Sequence, residues 1–76
     1  MQTLFLMWNK KGALVRAECF ERIGGVDLNA TARARMRILW DAGTATIDRC
    51  TIYLLHNSKL TLVGEERRDE NGIFTQ

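Results

Sequence analysis

Proline is absent from these 76 residues, so every turn must be made by glycine or by Asx side chains. Histidine occurs once, at His56, and cysteine twice, at Cys19 and Cys50, with no C-x-x-C. That scarcity suggests neither a disulfide framework nor a zinc site; the two thiols read as buried groups in a reducing compartment. No apolar run approaches the roughly 20 residues that cross a bilayer. The stretch Leu4 to Trp8 is too short for a secretory core, and no basic residues precede it. It is followed by Asn9-Lys10-Lys11-Gly12 instead of a small-residue cleavage site. The expectation is a cytoplasmic, soluble chain with no membrane partner.

Catalytic sets are missing in the same way. His56, beside an expected turn, has no orienting acid near it in sequence, and no Ser-His-Asp or Cys-His set suggests itself. Asp41 and Asp48 each neighbour arginines and read as ordinary surface acids. Gly24-Gly25 lacks both the lysine and the spacing of a phosphate-binding loop. Trp8 and Trp40 both lie in apolar patterns that suit packing better than stacking on bases. The chain therefore reads as a non-enzyme with no cofactor and no metal.

What is present is an ordinary globular composition, 46% apolar and 26% charged. A chain of this length buries only about 60% of the surface its unfolded form exposes, which leaves little volume for a deep cleft beside a core. Residues 1–76 form one domain that binds by its outer surface. The net charge is +2, unevenly spread: residues 1–37 hold seven Lys or Arg against three acids, and the remainder four against six. A basic half of this kind attracts nucleic acid or an acidic protein surface, although a charge this small is also common on solvated surfaces.

Asn9-Lys10-Lys11-Gly12 has the form of a type I turn closed by a left-handed glycine, so Thr3–Trp8 and Ala13–Phe20 pair as a hairpin. In the second segment Val15, Ala17 and Cys19 alternate with Arg16 and Glu18, as in a half-buried strand with Phe20 out of step. Residues 13–22 also fit a helix, with Val15, Cys19 and Ile23 at i, i+4, i+8 and a stop at Gly24-Gly25. A helix capped by Asp27 or Asn29 and stopped by Gly43 follows. Thr44–His56 is a strand with Cys50, Ile52 and Leu54 on one face and Thr51, Tyr53 and Leu55 on the other. Asn57-Ser58 turns it into a second strand over Lys59–Glu66. Asp69-Glu70-Asn71-Gly72 repeats the form of the first turn, so Ile73–Thr75 folds back on Glu66–Arg68 or frays. The charged run at residues 65–70 reads as a solvated strand end. The fold class is α+β: an antiparallel sheet of four to five strands, in ββαββ order, with one helix across it.

That helix carries two apolar stripes. Leu28, Ala32, Met36, Leu39, Trp40 and Gly43 share one face, while Ala30, Ala34 and Ile38 recur at i, i+4, i+8 on the opposite side, bounded by Arg33, Arg37 and Arg35. One stripe serves the core and the other calls for a partner, unless the arginines simply make it a solvated surface, with Arg37 pairing Asp41. One helix also covers only one face of a sheet. Leu4 to Trp8 is apolar without alternation, so either it is buried on both sides or the uncovered face docks something, enlarged by Tyr53, Leu55 and Val63.

A chain of this size with a hairpin, one helix and a second hairpin, in which the glycine ending the helix runs into Gly43-Thr44-Ala45-Thr46-Ile47-Asp48, resembles small phage-encoded anti-CRISPR and other host-takeover proteins. The resemblance implies an inhibitor that works without catalysis, by occupying a surface of a larger host protein or nucleoprotein complex. The contact residues then expected are Ala30, Ala34, Ile38, Arg33 and Arg37, with Lys10 and Lys11 at the hairpin tip. Two other readings stand beside it. One is a small nucleic-acid-binding domain using Lys10, Lys11, Arg16, Arg33, Arg35 and Arg37; the other is a structural homodimer closed through the open sheet face.

Overall fold

The first hairpin is organised by Asn9. Its side-chain oxygen accepts from the N–H groups of Lys11 and Ala13 at 2.9 Å each, and the backbone closes with Gly12 N–H on Asn9 O at 3.0 Å. Gly12 sits at φ 81°, a conformation that glycine enters without a Cβ clash. β1 (Gln2–Trp8) thus pairs antiparallel with β2 (Leu14–Glu21), so the segment that also fitted a helix is a strand. The computed structural model describes residues 1–43 and 46–69, together with the backbone of residues 74 and 75.

Asp27 caps the helix α1 (Leu28–Asp41), its carboxylate accepting from Ala30 N–H at 3.1 Å. Asn29 is used differently. Its amide donates to the carbonyl of Glu65 at 3.4 Å, and a Cβ on Gly64 would stand only 3.0 Å from its side-chain oxygen. Glycine at 64 is what lets the first turn of the helix lie close to the sheet. The second hairpin joins β3 (Arg49–His56) to β4 (Lys59–Arg68) through Asn57 and Ser58, both at positive φ, the two-residue turn whose twist matches antiparallel strands. β5 (Phe74–Thr75) pairs with Arg67 and Arg68. Of the last expected turn, residues 70–72 lie outside the described residues.

The sheet runs β2-β1-β3-β4-β5, antiparallel throughout, in an α+β fold of ββαββ order with a short fifth strand. Pairing across the strands sorts the paired side chains onto two faces, with Val15 and Val63 left outside the pairs at register irregularities. Under the helix lie three rows: Phe20, Thr3, Leu54, Thr61; then Glu18, Phe5, Ile52, Gly64; then Arg16, Met7, Cys50, Glu66. Phe5, Met7, Cys50 and Ile52 meet Ala32, Met36 and Leu39 of the helix and Ile47 in one buried core, with Phe5 and Phe20 edge to face at 5.1 Å.

Three expectations are corrected here. Ala17 and Cys19 do not face the core: an irregularity in the register near Trp8 and Leu14 changes the alternation, so Val15 packs inward, then Glu18 and Phe20, while Cys19 is exposed. The third strand begins at Arg49 and not straight after Gly43; residues 44 and 45 lie outside the described residues, and Ile47 is buried ahead of the strand, its carbonyl accepting from the Trp40 indole at 2.7 Å. Glu66 is not solvated but fully buried.

Candidate docking surfaces

The face of the sheet away from the helix carries four rows. They are Glu21, Gln2, Leu55, Leu60; Cys19, Leu4, Tyr53, Leu62; Ala17, Leu6, Thr51, Glu65; and Leu14, Trp8, Arg49, Arg67. Among the described residues no element lies over this face. Residues 4–8 of β1 are all apolar for that reason: Thr3, Phe5 and Met7 are buried under the helix, while Leu4, Leu6 and Trp8 are half-buried only by their neighbours on the open side. Leu62 is 57% exposed, and Leu14, Leu55 and Leu60 are exposed with it.

One end of this face is held rigid. The Trp8 indole donates to Thr51 Oγ1 at 2.9 Å, and the Arg49 guanidinium stands 5.3 Å over the Trp8 ring. Arg67 pairs with Glu65 in the same corner. Four strands about 4.8 Å apart and some seven residues long at about 3.3 Å each outline roughly 400 Å².

The second surface is the outer helix stripe. Ala30, Ala34 and Ile38 are all exposed, as the periodicity predicts. Its rim is different from the expected one, because the arginines divide. Arg33 reaches the buried carboxylate of Glu66 on β4, and Arg35 grips Glu18 on β2 through two bonds of 3.0 and 2.6 Å. Arg16 shares Glu18 at 3.0 Å. The hydrogen bond from Arg35 is the main cause that holds the Glu18 carboxyl below its ordinary value, with Arg16 adding to it against the opposing effect of burial. Arg37 makes no ion pair among the described residues, so the expected partner Asp41 is not engaged.

Thus of the six cations that a nucleic-acid surface would use, Arg16, Arg33 and Arg35 are committed to intramolecular pairs, and Lys10, Lys11 and Arg37 are left exposed. The clamping acids, Glu18 and Glu66, are what sequence reasoning missed. Only an acid standing among the inward residues of a strand could have signalled them, and that signal needs the register.

The remaining reactive groups are placed plainly. Burial pushes the Cys50 thiol up to about 12, which leaves it inert. His56 is exposed at the mouth of the second turn. No group of three or more metal-ligating side chains occurs among the described residues, and none of their helices is long and apolar enough to cross a membrane.

No known protein family, curated protein or solved structure matches this chain significantly.

Proposed function

We propose that this chain is a non-catalytic interaction module that docks on a larger protein assembly, in the manner of the anti-CRISPR and host-takeover proteins its layout resembles. The observation that supports the reading is the uncovered sheet face. It combines Trp8, Tyr53, Arg49 and Arg67 with exposed leucines, and aromatic residues and arginine are the types enriched where proteins bind one another. The helix stripe Ala30, Ala34, Ile38 is the smaller, secondary contact.

Area supports a foreign partner over a second copy. A stable interface covers about 800 Å² on each side, and this face outlines roughly 400 Å². Two copies meeting face to face fall short of that, whereas a larger partner can cover the face and continue past the edges of the sheet. A host partner is therefore the favoured reading and a homodimer the weaker one.

Affinity capture from host lysate, analysed by mass spectrometry, tests the proposal. The wild-type chain is expected to retain one assembly in a fixed ratio, and Leu62→Asp to lose it while keeping its fold. Capture that is indifferent to this substitution contradicts the reading.

A further inference from the structure

The tip of the first hairpin, the last turn of the helix and the end of β4 meet around a cleft of about 450 Å³, which Lys10, Lys11, Trp40, Asp48 and Arg68 help to line. That volume falls within the range of small-molecule sites, about 300–1,000 Å³. The cleft lies at the end of the molecule where backbone bonds stitch the strands together, Asp48 N–H to Trp8 O at 2.7 Å and Arg68 N–H to Asp48 O at 2.9 Å. The backbone that carries Asp48 and Arg68 is therefore fixed by the sheet.

Its electrostatics differ from those of the helix. There Arg33 and Arg35 are spent on acids of the sheet; here Lys10, Lys11 and Arg68 form no ion pair among the described residues, and three cations face one acid, Asp48. Arg68 is held instead by an aromatic ring, its guanidinium 4.1 Å over Trp40, whose indole is itself tied to the Ile47 carbonyl. A guanidinium positioned by stacking keeps its N–H groups available for an oxyanion and its plane available to a nucleobase. The nearby lysines add compact charges of the kind that bind phosphate.

We infer that this cleft binds a nucleoside phosphate, free or as a unit of a single strand, with Lys10, Lys11 and Arg68 on the phosphoryl group and the base laid against the Arg68–Trp40 stack. Asp48 is placed to accept from a sugar hydroxyl or an exocyclic amine. This site is separate from the open sheet face, so its failure would leave the docking proposal standing.

Titrations followed by NMR at the Trp40 indole N–H test the inference, with adenosine 5′-monophosphate, adenosine, inorganic phosphate and a short single-stranded oligonucleotide as probes. The monophosphate is expected to move the Trp40 signal and to bind about tenfold or more tightly than adenosine, since the charged contacts are lost with the phosphate. Lys10→Ala with Lys11→Ala, and separately Arg68→Gln, are each expected to weaken it about tenfold, and Lys59→Ala at the far end of the sheet to leave it unchanged. Tighter binding of the oligonucleotide at the same signal assigns the site to a strand, and equal or weaker binding assigns it to the free nucleotide. Adenosine binding as well as its phosphate, wild-type affinity in either cleft variant, or a Trp40 signal unmoved at ~10 mM ligand would overturn the inference.

Discussion

Two carboxylates hold the helix to the sheet from opposite sides, Glu18 through Arg35 over β2 and Glu66 through Arg33 over β4. Residues two apart on a helix point about 200° from each other, which is why neighbouring arginines reach opposite flanks. Their linkage to pH has a definite sign. Because folding lowers the Glu18 value below 4.5, its stabilising effect is complete above that pH and is lost as pH falls through the lower folded value. Thermal melts from pH 6 downward are expected to show wild-type Tm falling below about pH 4.5 more steeply than that of Glu18→Gln. Parallel curves would show that the pair contributes nothing. At this scale the sequence was partly legible: the three arginines were visible as a feature of the helix, but the partners of Arg35 and Arg33 lie 17 and 33 positions away and had no local signal. Glu66 in particular sits in a charged run that reads as solvent-facing until the register carries it under the helix.

The elements themselves were more readable, because turn chemistry is local. Asn9 and Gly12 announce the first hairpin, Asp27 the helix start, and Asn57-Ser58 the second hairpin. Ser58 stands at φ 63°, where an L residue is strained by roughly 1–2 kcal/mol. Glycine relieves that strain at an entropic cost of about 0.5–1 kcal/mol, so Ser58→Gly is expected to gain about 0.5–1 kcal/mol. A urea midpoint raised at constant slope checks this; an unchanged or lower midpoint contradicts it. What was not legible was the irregularity beside Trp8 and Leu14, since register depends on the partner strand. One displaced residue there moved Ala17 and Cys19 to the open face and Glu18 and Phe20 to the core. The start of β3 was misplaced for a related reason: Thr46, Ile47 and Asp48 look like strand residues, yet Ile47 is used to seal the helix end.

On the scale of the whole molecule, one helix on a sheet leaves one face uncovered, a geometric consequence that the order of elements already carried. The alternation within β3 placed Tyr53 and Leu55 on that face correctly. The basic half expected from the charge count is redistributed, because Arg33 and Arg35 fold onto acids, while Lys10 and Lys11 at the first hairpin tip and Arg68 at the end of β4 make no such pairs and stand close together. In isolation the open face should support only weak self-association, since two copies bury less than the ~1,200 Å² of a standard interface. On the proposed reading its role is to bind a partner. The most direct test is calorimetric titration of the purified captured partner with wild type, Leu62→Asp and Ile38→Asp. Leu62 and Ile38 are 57% and 54% exposed, so both variants should melt as wild type does. The account predicts that Leu62→Asp weakens binding about tenfold or more and by a larger factor than Ile38→Asp. Unchanged affinity in a folded Leu62→Asp would contradict it.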